Sequence, residues 1–225
     1  MNETSKMFRV WGDLEKNILS GDGIDIGCGP DPVKPNVRRF DIEDGDANDI
    51  TKFVHEQFDF VYSSHCLEHM KNPYQALLGW WQLVKPGGHI FFLVPDEDLY
   101  EQGVFPSRFN ADHKATFTLS KTRSWSPVSV NVLDLALSLP DAELVSLKLQ
   151  DIGYDRSLMT HGLPKPATGL IRLLIRAHQI LRGRLGLGIP TIQEWIDLSS
   201  VVDQTGKPDV LAQIQCIVRK GTRTS

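Results

Sequence analysis

The chain has few of the features that impose a fold or a location from outside. Its three cysteines, Cys28, Cys66 and Cys216, are odd in number, and their spacing suits neither a disulfide framework nor a zinc cluster. Reduced thiols and a cytoplasmic setting are therefore expected. No apolar run approaches about 20 residues, so no membrane-spanning helix is expected. The opening stretch MNETSKMFRVWGDLEKN lacks the apolar centre of a secretory leader, and none is expected. There is no internal repeat and no low-complexity tract. There is also no basic excess: 24 Lys and Arg stand against 28 Asp and Glu, a net charge of −4, which argues against nucleic acid as a partner.

What is present is an ordinary soluble composition, 41% hydrophobic over 225 residues, enough for one domain with a large core. Short apolar runs alternate with helical patterns. Residues 23–27, 37–41, 58–63, 89–94, 143–149 and 212–219 read as strands, and 73–84 and 128–139 as helices. Near-continuous apolar strands separated by helices predict a parallel sheet covered on both faces. Ligands bind such sheets beyond the carboxyl ends of the strands.

At one such end stands GIDIGCGP, residues 23–30. Gly27 and Gly29 lack a Cβ, so the backbone can take positive φ and lie close to a ligand. The third glycine of a dinucleotide fingerprint is missing, because Gly29 is followed by Pro30-Asp31-Pro32. With little helix N-terminus to hold phosphate, a ligand without phosphate fits better. On these residues alone a plain strand-to-loop turn remains equally open. Asp41 ends the next strand, where a carboxylate can accept the two hydroxyls of a ribose. It belongs to an acidic stretch with Glu43, Asp44, Asp46 and Asp49, most of which are expected to be solvated.

The set DIGCGP, an acid ending the next strand, Gly45-Asp46-Ala47, FDFVYSSHCLEHM (58–70) and LVKPGGHIFFLVPD (83–96) resembles the class I S-adenosylmethionine-dependent methyltransferases, in particular the bacterial type 11 branch. The resemblance implies an α/β, Rossmann-like fold with a seven-stranded, mostly parallel sheet, helices on both faces and the last strand antiparallel. It implies S-adenosylmethionine as cofactor. Asp25, Gly27, Cys28 and Gly29 would lie under its methionine part, and Asp41 on its ribose. Asp46 and Ala47 would meet the adenine, with Ser64 and His65 beside the methionine end. The sequence departs from the family between Gly29 and Asp41, a short, proline-rich connection (Pro30, Pro32, Pro35) that predicts a loop in place of the first helix.

Methyl transfer to a hydroxyl calls for a base, and histidine suits neutral pH. His65, at a strand end, and His113, in FNADHKATFT (109–118), are equal candidates; Asp96, Glu97 or no base at all remain open. His69 falls four residues after His65, but HCLEH lacks the metalloprotease order HExxH, so no metal ligand set is expected and His69 reads as a loop-holding residue. Whether a divalent ion assists stays open.

Two segments read as insertions in a single 1–225 methyltransferase domain. Residues 97–126 form a long connection on the acceptor side, with Arg108 and aromatics; a self-packed loop reads equally well. Residues 155–208 contain a stretch, Arg156 to Gln193, with no acid and six basic residues. Within it LIRLLIRAHQILRGRLG (170–186) has helical amphipathic spacing. A core-packed helix, contact with an anionic membrane surface, an acceptor-site cap and a homodimer contact are the readings it permits. The acceptor expected is a small molecule or glycan precursor, O-methylated on a sugar. The alternatives are a small aromatic or lipid-like metabolite as acceptor, or a binding subunit that catalyses nothing.

Overall fold

The computed structural model describes residues 3–159 and 203–222. The helical segment expected at 170–186, with its membrane or dimer contact, lies outside them. The chain divides into two compact units, residues 1–154 with 205–225, and residues 155–204. The first unit carries the sheet and every candidate site residue.

Its strands are β1 (Gly23–Ile26), β2 (Arg38–Phe40), β3 (Phe58–Ser64), β4 (Val84–Pro95), β5 (Thr116–Thr118), β6 (Ser129–Asn131), β7 (Ala142–Gln150) and β8 (Gln213–Lys220). Six of them form the main sheet, in the order β2-β1-β3-β4-β8-β7. The pairs from β2 to β4 are parallel, and β8 runs antiparallel to both its neighbours. The mixed α/β sheet with an antiparallel last strand is thus the one expected, and the difference is one strand. Among the described residues the main sheet has six rather than seven, because the segment after β2 turns into a 3-10 helix, Ala47–Lys52, instead of adding an edge strand. Asp46 starts that helix by accepting from the Asn48 N–H at 2.9 Å.

The strands are central for a compositional reason. β3 and β4 carry Phe60, Val61, Tyr62, Ile90, Phe91, Phe92 and Val94, all fully buried, and both faces of such strands need cover. On one face Met7 of α1 (Glu3–Met7) and Trp11, just before α2 (Asp13–Ile18), pack with Tyr62 and Phe91. On the other face α3 (Pro73–Gln82) brings Ala76, Leu77, Trp80 and Trp81 into the core. This helix begins at Asn72, whose side chain accepts from the N–H groups of Tyr74 and Gln75, with Pro73 at the first helical position, where no N–H is needed.

Two local features bear on the expectations. The helix read at 128–139 is only Val132–Leu137 (α4), because the Asn131 side chain caps it through Asp134 N–H. Residues 129–131 before it are the strand β6, paired in parallel with β5. The connection from Gly27 to Val37 holds no helix, as its prolines predict.

Candidate active site

The carboxyl ends of β1, β2 and β3 open on a cavity of about 420 Å³, in the size range of small-molecule sites. Gly27, Phe40, Asp41, Ile42, Gly45, Asp46 and Ala47 line one side. His65, Cys66, His69, Met70, Asp112 and Lys114 line the other.

Gly27 has φ +73°, and a Cβ there would stand 2.6 Å from Cys66 Sγ. The glycine is therefore required by Cys66 behind it as well as by the cavity in front. Gly29, at φ +52°, does not line the cavity; its N–H donates to Asp41 Oδ2 at 2.6 Å, tying the glycine turn to the end of β2. Asp41 Oδ1 accepts from the Ile42 N–H at 2.8 Å, and the Asp41 N–H donates to Asp44 Oδ2 at 2.9 Å. The carboxylate is thus held at the cavity edge by two N–H groups, while Asp44 fixes the backbone of Asp41. Asp46 is oriented by Asn48, whose hydrogen bonds hold its carboxyl below the usual range.

Asp25, Cys28 and Ser64 also lie off the cavity wall. Asp25 is buried in β1, where its Oδ2 accepts from the Val33 N–H at 2.7 Å and its Oδ1 has no partner. Burial pushes this carboxyl up to about 7, against the lowering effect of the Val33 bond. Its part is to pin the 28–33 loop. Cys28 accepts a contact from Arg39 Nε at 3.3 Å, and Arg39 also donates to the Gly29 carbonyl. Ser64 is the last residue of β3, and its Oγ is buried.

The two candidate bases separate. His65, with φ +53° at the end of β3, lines the cavity. Its Nε2 lies 2.7 Å from Gln213 Oε1 and its Nδ1 3.5 Å from Glu68 Oε1. Burial alone would lower this imidazole; the Glu68 carboxylate outweighs that and raises it to about 9. His113 lies in the connection between β4 and β5, within FNADHKATFT. It is buried and absent from the cavity wall, with Nδ1 2.6 Å from Glu101 Oε1 and its ring stacked on Tyr100. The 109–118 stretch buries it because Lys114 and Ala115 hydrogen-bond the Glu68 carbonyl, drawing the loop inward. Nor is Glu97 available as a base. It is fully buried and accepts from the hydroxyls of Thr116, Ser124 and Ser129, so it organises the 97–126 connection. Asp96 is spent capping the π-helical turn Glu97–Glu101 through Asp98 and Leu99 N–H.

Sequence reasoning missed Cys66, Met70, Asp112 and Lys114 on the wall and gave His69 only a loop-holding role. Asp112 and Lys114 sit in the loop that carries His113, and a signal existed in that loop's polar, aromatic-flanked composition. Their meeting with His69 is a tertiary matter: His69 Nδ1 lies 2.9 Å from Asp112 Oδ2, and Lys114 Nζ donates to the His69 carbonyl.

A family model described as a methyltransferase domain matches residues 5–177. Among solved structures, a protein of Bacillus halodurans assigned as a methyltransferase is similar over 99% of this chain and 100% of its own, at 15% identity and a TM-score of 0.50. A SAM-dependent methyltransferase from Archaeoglobus fulgidus is similar over 96% of this chain and 92% of its own, at 14% identity and a TM-score of 0.48. No curated protein matches the chain.

Proposed function

The chain belongs to the methyltransferase-domain family, and from that premise we propose that it transfers a methyl group from S-adenosylmethionine to a hydroxyl of a sugar or glycan precursor. The observation that carries the reading is the single cavity edge on which Gly27, Asp41, Asp46 and Ala47 converge. A close-approach glycine, a carboxylate fixed at the end of β2 and a second acid beside a small residue suit a nucleoside with a short amino-acid tail. When bound, the cofactor supplies a methyl group already activated on a sulfonium.

The chain's residues then have a modest task. They would have to hold the acceptor oxygen in line with the methyl group that the cofactor supplies, and let the hydroxyl proton leave to a neighbouring base or to water. Orientation of this kind supplies roughly 7–11 kcal/mol of barrier lowering. Asp41 holds the donor side. His65 borders the cavity from the end of β3, which supports a contact with the acceptor hydroxyl, whereas His113 does not border it. The far wall, with His69, Asp112 and Lys114, offers hydrogen-bonding groups that favour a hydroxyl-rich acceptor over a purely aromatic one.

The test is calorimetry with S-adenosylmethionine on the wild type and on Asp41→Ala. Loss of a charged hydrogen bond is worth roughly 1.5–3 kcal/mol, so the variant should bind at least about tenfold more weakly. An unchanged dissociation constant would remove the assignment of this edge to the cofactor. Transfer of a labelled methyl group to a panel of sugar nucleotides and glycans then tests the acceptor class.

A further inference from the structure

Behind the acceptor-side wall, Glu68, His69 and His113 present one ligand atom each, all within 4.8 Å of one another. We infer that these three side chains bind a divalent transition-metal cation beside the cavity. The role of the cation rests on the reading of the cavity as a methyl-transfer site; its binding does not.

Glu68 is fully buried, and neither of its carboxylate oxygens has a hydrogen-bond partner. The charge of the neighbouring His65 offsets part of the cost of burying this carboxylate, but no donor reaches either oxygen, and a cation ligated directly is the partner that best repays the rest. Its nearest groups are imidazoles, His65 Nδ1 at 3.5 Å and His113 Nε2 at 4.0 Å from Oε1, contacts too long for hydrogen bonds.

The two other members are oriented as metal-binding histidines are. His69 Nδ1 lies 2.9 Å from Asp112 Oδ2, and His113 Nδ1 lies 2.6 Å from Glu101 Oε1. A carboxylate on Nδ1 fixes the hydrogen there and leaves the Nε2 lone pair as the ligand, the outer arrangement that supports metal histidines. The rings of His69 and His113 meet edge to face, with centroids 5.1 Å apart, which brings both imidazoles to the same carboxylate.

The donor set selects the ion. Two imidazoles and one carboxylate suit Zn²⁺, Mn²⁺, Fe²⁺ or Co²⁺ rather than Mg²⁺ or Ca²⁺, which prefer all-oxygen shells. Ligand atoms about 2.1 Å from an ion sit about 3.0–3.4 Å apart, so the three must draw inward by several tenths of an ångström each. Three protein ligands leave coordination positions open. His69 is the member that also lines the cavity, so those positions are reached from the cavity. A cation there would lower the pKa of a hydroxyl bound to it, with the proton passing to water; the acceptor class is accordingly one that must lose a proton, an alcohol or phenol, rather than an amine that needs its lone pair free.

The experiment uses the full chain, stripped with a chelator and titrated with Co²⁺ by calorimetry and by visible absorption, which reports the ligand field directly. One equivalent should bind, with a d–d band. Glu68→Gln and His69→Gln should each weaken binding at least 100-fold. Asp112→Asn, at an exposed position that should not disturb folding, should weaken it about 10–100-fold through the loss of the partner on His69. Circular dichroism confirms that each variant is folded. Absence of a stoichiometric band in the wild type, or binding that survives both Glu68→Gln and His69→Gln in folded protein, overturns the site. S-adenosylmethionine binding to the stripped chain is measured separately; if it is absent while Co²⁺ binds and depends on these residues, the cation site stands and the cofactor reading falls.

Discussion

Gly27 and Cys66 pack side by side on the cavity wall, so close that a Cβ on Gly27 would lie 2.6 Å from Cys66 Sγ and 2.7 Å from Cys66 Cβ. The glycine is needed twice over, for its φ of +73° and for this contact. Gly27→Ala should therefore destabilise the chain by more than the roughly 1–2 kcal/mol of left-handed strain alone. Cys66→Ala should not rescue it, because the Cβ of residue 66 remains in the way. Urea unfolding of the single and double variants checks both statements. A Gly27→Ala chain as stable as the wild type would show that the turn relaxes freely.

Asp25 gives a pH signature of stability. Burial raises its carboxyl to about 7 from an ordinary 3.8. Between those values the folded chain keeps a proton that the unfolded chain has lost, so this group makes stability fall as pH rises from about 4 to about 7, and has no further effect beyond. Asn at this position cannot ionise and can still accept the Val33 N–H. Asp25→Asn should thus gain stability over the wild type as pH rises, with a difference on the order of a few kcal/mol at pH 8 and a smaller one at pH 5. Parallel urea midpoints for the two chains from pH 5 to pH 8 would show that Asp25 is not the buried acid described here.

Glu97 holds together the connection between β4 and β6. Glu97→Ala would leave the hydroxyls of Thr116, Ser124 and Ser129 without their shared acceptor in a buried place. A cost of about 2–4 kcal/mol is expected, together with faster hydrogen exchange in residues 116–131. If Glu97 were instead a catalytic base, its loss would abolish turnover and leave exchange in that segment unchanged.

The parts of this site legible in the sequence are those set by adjacent residues. Gly27, Asp41, Asp46 and Ala47 follow strand ends, and alternation of strand and helix places all strand ends on one side. The parts that were not legible depend on a loop folding back. HCLEH offers His69 and Glu68 on one short segment, yet its third companion, His113, lies 44 positions after His69, and only the pull of the Glu68 carbonyl on Lys114 and Ala115 brings it in. Among the described residues the sheet lacks a seventh strand for a local reason, because Asp46 and Asn48 favour a capped 3-10 turn in the segment after β2. Likewise Asn131 reads as an interior helix residue in a periodicity count but acts as a cap, which shortens the helix and frees Ser129–Asn131 to pair with Thr116–Thr118.

Substitution of the two histidines separates structure from chemistry. His113 is buried against Glu101 and Tyr100, with a side chain only 3% exposed, and Glu101 is itself 1% exposed. Its removal leaves a buried carboxyl without its partner and a void beside Tyr100, a combination expected to cost about 3–5 kcal/mol. His65 has a side chain 21% exposed, and its contact Gln213 keeps a second partner through Gln150. His65→Ala removes the partner of Gln213 Oε1 and the imidazole nearest the buried Glu68 carboxylate, so it too should cost stability, about 1–3 kcal/mol. Both variants should lose methyl transfer, but for different reasons. In His113→Ala the loss should accompany both a lowered Tm and loss of Co²⁺ binding, and cooling should restore the fold without restoring turnover. In His65→Ala, kcat should fall with the fold intact, and because, despite burial, the Glu68 carboxylate keeps this imidazole protonated up to about pH 9, the gap from the wild type should widen as pH rises toward 9. A His113→Ala chain that still binds Co²⁺ and regains turnover on cooling would reduce His113 to a structural residue; a His65→Ala chain with unchanged kcat would leave positioning of the acceptor to the remaining residues of the wall.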